Sequence, residues 1–162
     1  MARTECRVVN LFLDKDTGTP VVLLKDMHGD DMLPIVIAPL EAGMIAIELE
    51  GEKPLRPLTH DLIINLLGEF KQDVKSICIH DLKNNIYYAA LNLDSGGVFM
   101  DVDCRPSDAI AIALRAGAPI YVEKKVFALA MGIENAAHTM DRDTLKEVLE
   151  SIEIDDVGGK IM

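Results

Sequence analysis

One phrase occurs twice in this chain of 162 residues. IAPLEAGMIAIE occupies residues 37–48 and CRPSDAIAIALR occupies residues 104–115, and both contain a proline, any residue, an acid and an alanine, followed by apolar residues. With the offset held at 67 and no gap, residues 7–50 align with residues 74–117. This repeat predicts two similar structural units, and two units with several strands each are expected to share one core.

The secondary-structure signals of the two copies also occur in the same order. Strand-like runs separated by turn-rich segments precede each repeated phrase: RVVNLFL, PVVLLK and LPIVIA, then VKSICIH, IYYAALNL and VFMDVDC. The alternation in VFMDVDC predicts a strand with one solvent-exposed face. Apolar residues at helical spacing follow each phrase, in THDLIINLLGEF (59–70) and VFALAMGIENAA (126–137). The fold class expected is α+β: a duplicated β-β-β-α-α unit forming a mixed or antiparallel sheet packed with helices.

A single domain is predicted over residues 1–138, with repeat halves at about 7–72 and 74–138. A further helix and a flexible tail are expected at 139–162. DRDTLKEVLESIE places apolar residues on one helical stripe, and two glycines follow it.

The repeated phrase is typical of a helix start. Proline suits the first helical position, where its missing N–H would have had no partner. Glu41 and Asp108 then lie at the third position of their helices, where a carboxylate can bond free N–H groups and meets the positive end of the helix dipole. Thr59 is a suitable N-cap for the segment that follows the first copy.

Charge and composition restrict the classes of function. The net charge is −11, and no Lys/Arg run is longer than Lys124-Lys125, which argues against tight non-specific binding of nucleic acid and favours a weak or transient contact. No secretory leader or membrane-spanning run is visible, and three cysteines without CxxC spacing fit a reducing cytoplasm. Exposed sheet edges predict a homo-oligomer, a dimer or a larger assembly.

Unusual polar residues are concentrated at the predicted helix starts, where free backbone N–H groups attract anions. They occur in PLEA, RPLTHD and RPSD: Glu41, Arg56, His60, Asp61, Arg105 and Asp108. Two interpretations are open. The acids can cap helices and pair with neighbouring arginines, or the residues can converge on one site for a phosphate and a cation. Convergence of the Glu41, Asp61 and Asp108 carboxylates would distinguish the two.

RPLTHDL, DLKNNIYYAAL and above all DCRPSDAIAIALRAGAPIYV resemble the bifunctional nuclease family, whose members are described as acting on both RNA and DNA. PVVLL, LPIVIAPLEAGMIAIEL and IYVEKKV fit the same pattern, so the resemblance covers roughly residues 5–130. It implies that residues 1–138 form a nuclease-like domain that hydrolyses phosphodiester bonds.

The resemblance also suggests roles for the matching polar residues. His60, Asp61, Glu41 and Asp108 are the expected catalytic residues, and Arg56 and Arg105 the expected substrate ligands. Either His60 acts as the base, or the carboxylates hold Mg²⁺ or Mn²⁺; the metal ligands themselves stay unassigned. The alternative function is a non-catalytic oligomeric module that binds a ligand or regulates a partner.

Overall fold

The computed structural model describes the backbone of residues 2–139 and the side chains of residues 2–132. The helix predicted over DRDTLKEVLESIE lies outside the described residues. The elements are, in chain order, β1 (Arg3–Leu13), β2 (Pro20–Asp26), β3 (Met32–Val36), α1 (Pro39–Leu49), α2 (Thr59–Glu69), β4 (Asp73–Lys83), β5 (Ile86–Ser95), β6 (Val98–Cys104), α3 (Pro106–Ala116), β7 (Ile120–Glu123) and α4 (Lys124–Thr139). The fold is α+β, as predicted.

The seven strands form one mixed sheet in the order β3-β2-β1-β7-β4-β5-β6. Two antiparallel meanders, β1-β2-β3 and β4-β5-β6, lie on either side of β7. β7 is antiparallel to β1 and parallel to β4, so it joins the two meanders into a continuous sheet.

The elements of the two sequence copies follow the predicted order up to the helices. α1 begins at Pro39 and α3 begins at Pro106, as the repeated phrase indicates. β7 was not predicted, and residues 53–56, which align with it, form no strand. The duplication itself stays a prediction, which a superposition of residues 7–50 on 74–117 would test.

The helices of the unit Met1–Phe127 pack in layers on the sheet. α3 packs on β4 and β5, α1 packs on β2, and both α1 and α2 contact α3. The small side chains Ala109, Ala111 and Ala113 are buried, which lets α3 approach its neighbours closely. α2 is the outer layer, because His60 is its one buried residue.

The alternation of β6 predicts one exposed face, and this expectation is wrong. Both faces of β6 are exposed: the apolar side chains Val98, Met100 and Val102, and the side chains Phe99, Asp101 and Asp103 that alternate with them. The reason is the position of β6 at the edge of the sheet, beyond the strands that α3 covers. Among the described residues, no helix is long and apolar enough to cross a membrane.

Candidate active site

The first turns of α1 and α3 lack side-chain caps. Ala38 and Arg105 are the N-cap residues, both with extended backbone, and neither side chain bonds the free N–H groups of its helix. Glu41 and Asp108 occupy the third helical position, but their hydrogen bonds go to other side chains. The expected capping bonds are therefore absent at these two acids, and the carboxylates are used in a tertiary network.

Arg105 connects the two helix starts. Its Nη2 donates a hydrogen bond to Oε1 of Glu41 at 2.7 Å, and its Nε donates to Oδ2 of Asp108 at 2.9 Å. Nη2 also lies 2.9 Å from the same Asp108 oxygen. Since half of the Arg105 side chain is exposed, the guanidinium holds both acids while one of its faces meets solvent.

His60 reaches the same carboxylate from α2. The residue is only 5% exposed, and its Nε2 lies 2.9 Å from Oδ1 of Asp108. An ionised carboxylate only accepts hydrogen bonds, so Nε2 carries a hydrogen, and in the neutral ring Nδ1 then carries the lone pair. Glu41, Arg105, Asp108 and His60 thus form one continuous chain of contacts, which we call the four-residue network.

Two atoms of the four-residue network have no partner in the described part of the chain. Nδ1 of His60 and Oε2 of Glu41 are buried and form no hydrogen bond there. A buried polar atom without a partner is costly, typically by about 1–3 kcal/mol, and is rare in folded proteins. With a neutral imidazole ring both atoms are acceptors, and both are closed to solvent in the structure.

The network perturbs the titration of its members. The hydrogen bond from His60, and after it Arg105, lowers the pKa of Asp108 although partial burial acts in the opposite direction. The Asp108 carboxylate, followed by Glu41, raises the pKa of Arg105. Burial raises the pKa of the adjacent Cys104 thiol to about 12, and Asp108 and Asp103 add to the effect. Cys104 is therefore a neutral thiol at pH 7 and unsuited as a nucleophile.

Asp61 belongs to a second network, next to the first. Its Oδ1 accepts a hydrogen bond from Nε of Arg115 at 2.9 Å, and its Oδ2 accepts one from the Leu58 N–H at 2.8 Å. Leu58 is the N-cap of α2 and Thr59 is its first residue, so the predicted Thr59 cap is wrong. The structure brings Glu41 and Asp108 together through Arg105 and pairs Asp61 with another arginine.

Arg115 is more important to the structure than the sequence indicated, because its predicted position, two-thirds along a helix, made it a weaker candidate anion ligand than Arg56 or Arg105. It is almost fully buried and donates from Nη1 to the Ala111 carbonyl and from Nη2 to the Met44 carbonyl, in addition to its bond with Asp61. Arg115 therefore ties α1, α2 and α3 together. An arginine in the otherwise apolar run AIAIALRAG was the available signal, because such a side chain must find acceptors when it is buried.

Arg56 lies outside both networks. It is exposed in the segment before α2, and within the described residues it has no hydrogen bond or ion pair. The described part of the chain also contains no group of three or more His, Cys, Asp or Glu side chains arranged to hold a metal ion. Glu41 and Asp108 instead share Arg105 as their cationic partner.

Comparisons with known proteins agree with the resemblance. The family model described as Bifunctional nuclease domain matches residues 22–136. An uncharacterized protein of Mycobacterium tuberculosis is 41% identical over 161 residues, which cover 94% of this chain and 96% of that protein. Bifunctional nuclease 1 of Oryza sativa subsp. indica is 28% identical over 109 residues, 65% of this chain and 33% of the plant protein. Bifunctional nuclease 2 of Arabidopsis thaliana is 27% identical over 107 residues, which cover 64% of this chain and 32% of the plant protein. This chain spans about a third of the length of these plant nucleases.

Proposed function

The chain belongs to the bifunctional nuclease domain family, and from this premise we propose that it is a nuclease that hydrolyses phosphodiester bonds of RNA and DNA. One observation carries the proposal beyond family membership: a buried histidine is held by a carboxylate at one ring nitrogen, while the other ring nitrogen has no partner among the residues that the structure describes. This is the arrangement that a general base needs, because the carboxylate fixes the tautomer and stabilises the imidazolium that forms.

In this proposal His60 removes a proton from the attacking water. Asp108 holds the hydrogen on Nε2, so Nδ1 is the nitrogen that accepts the proton. Nδ1 is closed to solvent in the structure, so the proposal requires the site to open before a water molecule reaches this nitrogen. A positioned general base typically contributes about 10²–10⁴-fold to a rate.

Arg105 is the proposed phosphate ligand. The guanidinium has five N–H donors, and the two on Nη1 have no partner among the described residues. Glu41 and Asp108 hold Nε and Nη2, which leaves Nη1 to donate to a non-bridging phosphate oxygen. Negative charge grows on these oxygens during hydrolysis, so a preorganised donor lowers the barrier.

Asp61 has a different place in the proposal. The sequence predicts a catalytic role, but its two oxygens are bonded to Arg115 and to the start of α2. We assign Asp61 to positioning His60, the preceding residue of the same helix. Glu41 orients Arg105 through Oε1, and its buried Oε2 has no partner among the described residues.

The proposal assigns no step to a metal ion, because the two nearest carboxylates are already joined by Arg105 and no further acid is grouped with them in the described residues. The acidic chain favours weak, transient contact with nucleic acid over a tight complex. A non-catalytic ligand-binding module is the alternative, since the four-residue network would then serve only to join three helices.

The test is a cleavage assay on single-stranded RNA and DNA, run with chelator and with added Mg²⁺ or Mn²⁺. Wild type is compared with Asp108→Asn, which keeps the size of the side chain and removes its charge. Asp103→Asn is the matched control, because Asp103 is an exposed acid in the same stretch that lies outside the network. The proposal expects Asp108→Asn to lose about 10²-fold or more in rate and Asp103→Asn to lose little. Equal activity in all three proteins would remove Asp108 from the reaction, and the absence of activity in every protein would favour the non-catalytic module.

A further inference from the structure

Helix α2 carries an apolar stripe on the side that its neighbours leave exposed. Leu62, Leu66 and Phe70 follow one another at intervals of four residues, so they lie on one side of the helix. Their exposed fractions are 52%, 49% and 73%. His60 is buried on another side of α2, where the helix contacts α3. An exposed apolar stripe of this kind is typical of an interface.

A hollow adjoins the N-terminal end of this stripe. It has a volume of about 380 Å³ and is lined by Arg56, Pro57, Leu58, Thr59 and Leu62. Leu62 belongs both to the stripe and to the hollow, and Phe70 projects at the other end of the stripe. The offset of eight residues from Leu62 to Phe70 corresponds to about 12 Å along the helix axis.

The surface is therefore complementary to itself. If two copies of α2 lie antiparallel about a two-fold axis at Leu66, Phe70 of one copy lies opposite Leu62 of the partner subunit. The aromatic ring then faces the hollow, and the same contact occurs twice because the axis relates the two copies. A different partner would have to provide both the aromatic ring and the hollow at this spacing.

The charges at the two ends of the stripe are complementary as well. Glu69 precedes Phe70, and Arg56 lines the hollow that receives the ring. In the antiparallel pair, Glu69 lies beside Arg56 of the partner subunit. Arg56 has no ion pair within the described residues, so it is available for this contact. For a chain with a net charge of −11, a self-complementary region without net charge also reduces repulsion between two copies.

We propose that the α2 stripe and its adjoining hollow form an isologous dimer interface in which Phe70 enters the hollow of the partner subunit. This inference is independent of nuclease activity, and it gives Arg56 a role in assembly in place of the phosphate contact predicted from the sequence. Stable interfaces bury about 1,200–2,000 Å² in total, and a single pair of short helices with its adjoining hollows lies near the lower limit. An interface of this size is typical of a weak, reversible dimer.

Sedimentation of the full chain over about 1 to 100 μM tests the proposal, because association then follows mass action. Wild type is expected to form dimers, and Phe70→Glu is expected to weaken association about 100-fold or more, since an aromatic anchor is replaced by a charge. Phe99→Glu is the matched control: Phe99 is 72% exposed, as Phe70 is 73% exposed, but it lies on the β6 edge. Circular dichroism checks that both variants fold.

Leu66→Cys gives a second, positive readout. Leu66 lies on the proposed axis, so two copies of the introduced cysteine would form a disulfide under mild oxidation. Of the native cysteines, Cys6 and Cys78 are buried, and Cys104 is half-buried with its pKa raised to about 12 by burial. Arg56→Glu and Glu69→Arg should each weaken the dimer, and the two changes together should restore it. A monomeric wild type, a Phe70→Glu variant that associates normally, or dissociation by Phe99→Glu alone would overturn the proposal. Dissociation by Phe99→Glu alone would place the interface at the β6 edge. A monomeric wild type would mean that the α2 stripe binds a different partner.

Discussion

Of the single substitutions near the site, Arg115→Met should lower the free energy of unfolding the most. Methionine fills a similar volume but donates no hydrogen bond. The change removes the 2.9 Å bond to Asp61 and the bonds of 3.1 and 3.2 Å to the carbonyls of Ala111 and Met44. It leaves the Asp61 carboxylate, which is 26% exposed, with only the Leu58 N–H as a partner.

The magnitude follows from these contacts. Removing one partner of a buried ion pair costs about 3–5 kcal/mol, because the other charge is left uncompensated. Partial exposure of Asp61 and its remaining bond to Leu58 reduce this, so we expect a loss of about 3 kcal/mol in the free energy of unfolding. For a chain of this size the midpoint of thermal unfolding should fall by about 6–12 °C.

Urea unfolding followed by circular dichroism, at one fixed protein concentration, measures this loss. Arg7→Met is the matched control, because Arg7 is exposed, and it should change the free energy by no more than about 0.5 kcal/mol. The double variant Arg115→Met/Asp61→Asn should be less unstable than the sum of its two single changes, since Asp61 is then no longer left as an unpaired charge. Glu48, whose Oε1 lies 3.7 Å from Nε of Arg115, loses this ion pair in both variants that lack the arginine. A loss below about 1 kcal/mol for Arg115→Met would refute the reasoning that this arginine joins the three helices.

Two further predictions concern stability. Because its folded-state pKa is lowered, Asp108 should contribute stability fully above its unfolded pKa of about 3.9 and lose that contribution as the pH falls through the folded value. The difference in unfolding free energy between wild type and Asp108→Asn should therefore narrow on acidification in urea titrations, and a constant difference would contradict this. Gly43→Ala, in the interior of α1 with no atom near the added carbon, should stabilise by about 0.5–1 kcal/mol. Gly117→Ala should destabilise by about 1 kcal/mol, because Gly117 ends α3 with a left-handed φ of 65°. Equal effects of Gly43→Ala and Gly117→Ala in thermal unfolding would show that backbone conformation is not the cause.

Local patterns predicted most of the fold. Six strands follow from β-branched and aliphatic runs between turns, and the starts of α1 and α3 follow from the preference of proline for the first helical position. β7 was missed because PIYVE is short and precedes a helical pattern without a turn. Its parallel pairing with β4 depends on long-range contacts that no local pattern records.

Four of the six polar residues named from the sequence lie in the four-residue network, but the sequence did not predict which of them pair. Glu41, His60, Arg105 and Asp108 stood out because acids, arginines and a histidine near helix starts are unusual in an apolar chain. Their partners lie far apart in sequence: 64 residues separate Glu41 from Arg105, and 48 separate His60 from Asp108. Tertiary packing of α1, α2 and α3 decides these contacts, and the same packing pairs Asp61 with Arg115.

Chemical rescue of His60 is the most direct test of the central claim that this buried imidazole is the base of a nuclease. His60→Ala removes the ring, and cleavage of a single-stranded RNA is followed while imidazoles of different pKa are added. The account predicts a loss of about 10²-fold or more, partial recovery with imidazole, and recovery that rises with the pKa of the added base. His60→Gln, without the cavity, should lose activity and gain nothing from imidazole. Undiminished cleavage by either variant, or recovery that does not vary with the pKa of the added base, would contradict the account.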